Sequence, residues 1–163
     1  MKLKLSDVLK AYQGIAAAQA FEKKLPGGFE LDFSYCLVYN KQKLKPLFKT
    51  IEEFCAVDPG YQEYDKQRVS LAEAHALKDG DGRPVINDNN FQLKDKEEFK
   101  NAHEALCEKF KEEIEAQEQK EKKNVLFLEK EEEVEVRKID MRLFPKNFPS
   151  SIMELLFDLV KED

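Results

Sequence analysis

The first part of the chain combines an alternating start with a helical repeat. The opening "MKLKL" alternates polar and apolar side chains, as a short strand does. Apolar residues then recur at three- to four-residue spacing, at Val8, Ala11, Ile15 and Ala18. This spacing predicts a helix that has Ser6 as its N-cap and is ended by "LPGG" at 25–28.

The pattern of residues 29–45 fits two structures. Strict alternation, typical of a half-buried strand, holds at Phe29, Leu31, Phe33, Tyr35, Leu37 and Tyr39. One helical face would instead carry Phe29, Phe33, Cys36, Leu37 and Leu44. The pattern alone slightly favours a strand. Pro46 lacks a backbone donor, so a helix through this region should break or kink near Lys45. A helical face follows at Leu47, Phe48, Ile51, Phe54 and Cys55.

Two further helices are predicted in the middle of the chain. Asp58 and Pro59 are typical of an N-cap and a first helical residue, and this helix should reach about Lys78. Asp95 and Glu98 resemble a capping box at the start of the next helix, which should extend to about residue 120. Its apolar stripe consists of Phe99, Ala102, Leu106, Phe110 and Ile114. We expect the two helices to form an antiparallel hairpin.

The last forty residues return to alternation before a final helix. "NVLFLEK" and "EVEVRKIDMRLF" predict strands, and the acidic residues between them should lie at a sheet edge. Ser150 or Ser151 should cap a helix that must dock on the body or on a partner, because it is strongly apolar. Its apolar residues are Ile152, Leu155, Leu156, Leu159 and Val160.

These patterns together predict the fold class. The chain should be mainly α (α+β), an antiparallel helical hairpin or small helical bundle with a small β element. Its 163 residues suit a single domain over 1–163.

Composition narrows the classes of partner. The net charge is −6, which disfavours non-specific attraction to nucleic acid or anionic lipid. No apolar run approaches the roughly 20 residues that span a bilayer, and no signal-peptide core follows the start, so we expect no membrane association and no export. Cys36, Cys55 and Cys107 are odd in number and widely spaced, which indicates three buried, reduced thiols rather than disulfides or a zinc site.

The stretch "KDGDGRPVINDNNF" at 78–91 resembles a calcium loop but fails the pattern. With Asp79 as position 1, Arg83 stands at ligand position 5 and Asn90 where a bidentate Glu is needed. We interpret the stretch as a connector in which Gly80 and Gly82 supply positive φ angles. "RPVI" and "NFQL" should be two extended pieces joined by a turn through "NDNN".

Candidate chemistry is sparse. His75 and His103 could approach each other across the hairpin, with Glu73 or Glu104 completing a metal site. Cys107 lies one turn from His103 and could form a nucleophile pair with it. Two histidines among 163 residues will often lie on neighbouring helices by chance. We therefore assign no catalytic, cofactor-binding or metal residues. A small basic patch for nucleic acid would consist of Lys41, Lys43, Lys45, Lys49 and Phe48.

The order of features resembles a class of small acidic proteins of tailed bacteriophages and prophages. The similarity runs through "YDKQRVSLAEAHALKDGDGRPV", the helix "DKEEFKNAHEALCEK", an acidic alternating stretch and the closing "FPSSIMELLFDLV". It implies helix over 29–56, against the alternation there, so with the resemblance taken into account we favour helix for that segment. Some proteins of this class are encoded near phage tail genes, so the resemblance also implies a role in assembly or in the virion, with the protein located in the host cytoplasm or the virion. It implies no catalytic residues.

Three functions remain open after the sequence. The first is a non-enzymatic phage protein that binds a protein partner, as a tail-associated virion or assembly accessory. The second is an inhibitor of a host enzyme or defence system, because an acidic protein can occupy a basic channel. The third is a metal protein or enzyme built on His75 and His103. The first is favoured, without a cofactor and with self-association through Phe99, Leu106 and Phe110 as a further expectation.

Overall fold

The mainly α (α+β) fold class is confirmed. The computed structural model describes residues 1–88 and 90–161. Within them the helices are α1 (Leu5–Glu22), α2 (Leu31–Cys55), α3 (Pro59–Ala74), α4 (Lys96–Lys109), α5 (Lys111–Leu128) and α6 (Ser150–Leu155). The strands are β1 (Lys2–Lys4), β2 (Ile86–Asn87), β3 (Asn90–Phe91) and β4 (Glu131–Glu133). Single 3-10 turns lie at Met141–Leu143 and Phe157–Leu159.

Contacts within the chain cluster into two units. The first unit contains Met1–Cys55 together with the described residues from Lys123 onward. The second unit is Ala56–Lys122. A contact cluster is not by itself a folding domain, so the single domain over 1–163 stays a prediction.

The ambiguous segment 29–45 is helical, and the burial pattern gives the reason. The buried side of α2 carries Phe33, Leu37, Asn40, Leu44 and Ile51, a helical repeat that continues over five turns. The alternating set lasts only to Tyr39, and two of its members, Leu31 and Tyr35, are 83% and 50% exposed. The strand that the pattern alone slightly favoured is therefore wrong, because the apolar side chains that are buried follow a helical repeat. The helix that we favoured with the resemblance is confirmed for Leu31–Cys55.

Pro46 does not break α2, which runs from Leu31 to Cys55 without interruption. Pro46 has no backbone N–H, so the carbonyl of Gln42 lacks its helical hydrogen bond. Gln42 and Pro46 are both exposed, so solvent can satisfy that carbonyl. Of the break or kink expected near Lys45, the break is thus absent.

The core of the first unit lies between α1, α2 and the end of the chain. Fully buried side chains from α1 include Val8, Ile15 and Ala18. Leu156 and Leu159 are fully buried as well, which confirms that the apolar C-terminal segment docks on the body. α1 and α6 approach each other closely at Gly14. This position requires glycine, because a Cβ there would lie 2.8 Å from the Leu155 Cβ.

A two-stranded antiparallel ladder closes this unit. β1 pairs with β4 so that Lys2 faces Glu133 and Lys4 faces Glu131, and opposite charges across a ladder stabilise it modestly. The strand at "MKLKL" and the acidic sheet edge are confirmed. The N-cap residue is Lys4 in α1 and Pro149 in α6, and neither makes a capping hydrogen bond with its side chain. The N-caps predicted at Ser6 and at Ser150 or Ser151 are therefore wrong.

The two strands predicted for the tail are largely wrong. Residues 124–128 belong to α5, where Phe127 stacks on Phe54 with ring centroids 3.9 Å apart. Beyond β4 the chain is buried at Val134 and Ile139 without a regular ladder. A side chain replaces the missing partner strand: Asn40 donates to the Arg137 carbonyl (2.8 Å) and accepts from the Arg137 N–H (2.7 Å).

The second unit is built around the predicted antiparallel hairpin. Asp58 caps α3 by accepting from the Gly60 N–H, and Asp95 caps α4 by accepting from two N–H groups, as expected. α3 ends at Ala74 instead of Lys78, because the following residues form bridges to Pro84 and Leu93.

The helix predicted from 95 to 120 is two helices. It breaks at Phe110, which has a non-helical backbone and is buried against Tyr64 with ring centroids 5.8 Å apart.

The connector interpretation of residues 78–91 is confirmed. Asp79 accepts from the N–H groups of Asp81 and Arg83, both at 2.9 Å, and β2 pairs with β3 around a turn. Gly82 has a φ of +79°, whereas Gly80 does not have the positive φ that we expected. Asn89 of the turn lies outside the described residues.

Candidate functional site

The two histidines contact the same aromatic ring instead of forming a metal site within the described residues. The Phe99 ring stacks on His103 (5.8 Å between centroids) and meets the edge of His75 (5.9 Å). Over the described ranges 1–88 and 90–161, no group of three or more His, Cys, Asp or Glu side chains could hold a metal ion. Glu73 and Glu104 complete no such group.

Cys107 and His103 do come together, and Tyr64 joins them from α3. The Tyr64 Oη lies 3.4 Å from His103 Nε2 and 3.5 Å from Cys107 Sγ. The thiol sulfur is 3.8 Å from both ring nitrogens, so it lies along the lone pair of neither. A general base needs a shorter, directed hydrogen bond of about 2.6–3.2 Å to its nucleophile.

The tyrosine of this cluster is buried, and the groove beside it is rimmed by carboxylates. Burial, and next the hydrogen bond to Cys107, raises the pKa of Tyr64 to about 12, so its hydroxyl stays protonated at neutral pH. Glu104, Glu108 and Glu115 line the same groove as Cys107. The arrangement fits a polar contact within the hairpin better than a catalytic pair.

The lysines expected to form a basic patch are partly engaged by neighbours. Lys41 donates to Gln19 (2.6 Å), and Lys43 forms an ion pair with Glu135 that raises the pKa of the lysine. The Phe48 ring stacks on Tyr12 with centroids 4.0 Å apart. One face of that ring is therefore already covered, and the absence of nucleic-acid binding stays a prediction.

The three cysteines are half-buried rather than buried. No helix in the described part of the chain combines the length and apolar character needed to cross a membrane.

The second unit has far less buried surface than the first. A core cluster of fifteen residues lies entirely in the first unit. Among the described residues of 56–122, only Tyr64, Ala76, Phe110 and Gln117 are buried. α4 buries no residue at all, although it carries an apolar stripe. The hairpin therefore presents apolar side chains that its own unit does not cover.

Two open grooves flank the contact between α3 and α4. The first, of about 480 Å³, we call the hairpin groove; it is lined by Gln67, Ser70, Leu71, Ala102, Ala105, Leu106 and Lys109. The second, of about 560 Å³, we call the acidic groove. Its half-buried to buried floor is Tyr64, Cys107 and Ile114, and its exposed rim is Glu104, Glu108, Lys111, Glu115 and Glu118.

Charge is distributed unequally between the two units. Residues 56–122 contain 17 acidic and 11 basic side chains, which accounts for the whole net charge of −6. The remaining residues of the sequence contain 16 of each sign. The unit that leaves apolar grooves open is thus also the acidic one.

Sequence reasoning found the apolar stripe of α4 but missed the grooves. Tyr64 is 39 residues from His103, so their meeting depends on the register of the hairpin, which no motif specifies. Charges of both signs are mixed along residues 94–123, a pattern typical of a solvated helix face, so the carboxylates of the acidic groove gave no signal of their own. Counting charge separately for the middle of the chain would have been the available signal.

Comparison with family models, with curated proteins and with solved structures gave no match.

Proposed function

We propose that this chain is a non-enzymatic protein that acts by binding another protein through the α3–α4–α5 face of the second unit. The observation that carries the proposal is the open apolar surface of that unit. Leu71 and Leu106 are only half-buried in the hairpin groove, and Val69 is 42% exposed on α3. Exposed apolar grooves with a polar surround are typical of protein contacts.

The biological setting rests on the resemblance alone. The similarity to small acidic proteins of tailed bacteriophages supports a role as a virion or assembly accessory, near the tail. A second candidate, an inhibitor of a host enzyme or defence system, is favoured by the concentration of negative charge in residues 56–122. Both functions need a protein partner, and the identity of that partner separates them.

Affinity capture with a matched pair of variants tests the proposal. Ala105 is exposed in the hairpin groove, so Ala105→Arg should leave the fold intact while filling the groove with a charged side chain. Ala16 is also exposed, on α1 of the first unit, and Ala16→Arg is the control. The tagged chains would be incubated with a lysate of the bacterium that carries the gene, and bound proteins quantified by mass spectrometry.

We expect one protein to be enriched by the wild type and by Ala16→Arg, and to fall about tenfold or more with Ala105→Arg. A phage structural protein in that position supports the assembly role, and a host enzyme supports inhibition. Equal recovery with both variants, or no enrichment over the tag, would refute binding through this face.

A further inference from the structure

We propose that the acidic groove binds a basic amphipathic helix of the partner protein. The inference rests on the proposed function and specifies the chemistry of the bound segment. It starts from the combination of an apolar floor with a carboxylate rim in one groove. Neither feature alone selects a ligand, but together they describe a surface that is complementary to one kind of helix.

The spacing of the rim indicates a helical partner. Glu104, Glu108, Glu115 and Glu118 follow one another, with Lys111 between them, at steps of four, three, four and three residues. Glu104 and Glu108 lie along one face of α4, and Lys111, Glu115 and Glu118 lie along one face of α5, with the break at Phe110 between the two parts of the rim. A partner helix with Lys or Arg at three- to four-residue steps would present positive charge to the carboxylates of both parts of the rim.

The floor supplies the apolar half of the match. Cys107 and Ile114 are seven residues apart and half-buried, and both line the groove beside the buried Tyr64. Cys107 belongs to α4 and Ile114 to α5, so the floor is apolar on both sides of the break at Phe110, and a helix bound in a groove lays its apolar face on such a floor. The bound helix should therefore be apolar on the side that faces Cys107 and Ile114, and basic along its flanks.

Charge also decides against a second copy of this chain. The rim has a net charge of −3, and the unit that contains it carries all of the chain's net charge of −6. Like surfaces of this sign repel, whereas a basic partner is attracted and its association is accelerated. None of Glu108, Glu115 and Glu118 has an ion pair or a hydrogen bond within the described structure, so each carboxylate is available.

Binding of designed peptides to the full chain tests the inference. The probes would be fluorescein-labelled 18-residue amphipathic helices that share one leucine face and carry Lys, Gln or Glu on the flanks. A fourth probe would scramble the Lys peptide so that its apolar face is lost. Fluorescence anisotropy at low and high salt would give the affinities.

Two double variants locate the site. Glu108→Gln with Glu115→Gln removes two rim charges, whereas Glu52→Gln with Glu53→Gln removes two exposed charges from α2 in the first unit. We expect the Lys peptide to bind more tightly than the other three, and high salt to weaken it. The rim variant should weaken it about three- to tenfold more than the α2 control.

The inference is overturned if the Gln, Glu or scrambled probe binds as tightly as the Lys probe, or if the two double variants behave alike. Its failure can be separated from that of the proposed function. A captured partner that is lost with Ala105→Arg, but whose binding depends neither on salt nor on Glu108 and Glu115, leaves protein binding standing and removes the basic helix.

Discussion

Asn40 is a fully buried polar residue whose side chain pairs with the backbone of Arg137, and its replacement should be costly. The two hydrogen bonds, at 2.8 and 2.7 Å, hold the segment after β4 against α2 in place of a β ladder. Asn40→Ala removes both partners and leaves the Arg137 N–H and carbonyl without them.

The expected loss follows from these contacts. Each hydrogen bond contributes about 1 kcal/mol net, and a buried backbone group left unpaired costs about 1–3 kcal/mol. Partial access of water to the segment limits the sum, so we expect the free energy of unfolding to fall by about 2–4 kcal/mol. For a chain of this size that corresponds to a decrease in Tm of roughly 5–15 °C.

Urea unfolding followed by far-UV circular dichroism would measure the effect. Gln42→Ala, an exposed substitution two residues along the same helix, is the control and should stay within about 0.5 kcal/mol of the wild type. Asn40→Asp keeps the acceptor but buries a carboxyl. Its folded-state pKa should be raised above the unfolded value, so part of the lost stability should return at acidic pH and disappear as the pH rises. An Asn40→Ala protein as stable as the control would show that this pairing does not hold the segment.

Further expectations concern individual positions. Gly14→Ala should destabilise by about 1–2 kcal/mol in thermal unfolding, because contact with Leu155 outweighs the better helix propensity of alanine; a gain in stability would contradict this close approach. Asp58→Ala should cost about 1 kcal/mol by loss of the cap on the Gly60 N–H, and hydrogen exchange should show earlier opening at the start of α3; unchanged exchange there would argue against the cap. Tyr64 should ionise near pH 12 in an absorbance titration at 295 nm, a step absent from Tyr64→Phe. Since its folded pKa is raised, its contribution to stability is complete below about pH 10 and is lost as the pH rises towards 12, and a single transition for all tyrosines near pH 10 with native circular dichroism would refute the buried hydroxyl.

Local signals in the sequence were sufficient where a helix start depends on neighbouring residues. Asp58 and Pro59 fix the start of α3 because their preferences act within one turn. Where the pattern of a segment fits two structures, residues outside that segment determine which structure forms. Residues 29–45 are helical because the buried repeat of α2 continues to Ile51, beyond the alternating run.

Tertiary contacts set the features that the sequence could not predict. The break at Phe110 depends on packing against Tyr64, which lies on another helix. The extended segment near Arg137 is held by a side chain from α2, so its alternating pattern led to a strand prediction that no partner strand fulfils. The acidic groove likewise depends on how α3 meets α4 and α5, a register that spacing within one helix does not contain.

Hydrogen exchange of the free and the partner-bound chain tests the central claim most directly. The full-length chain would be compared alone and in complex with the purified protein from the capture experiment, with peptide-level readout by mass spectrometry. We expect new protection in α3, α4 and the first turns of α5, and unchanged exchange in α1 and α2. Protection confined to α1, α2 or α6 would contradict binding through the second unit.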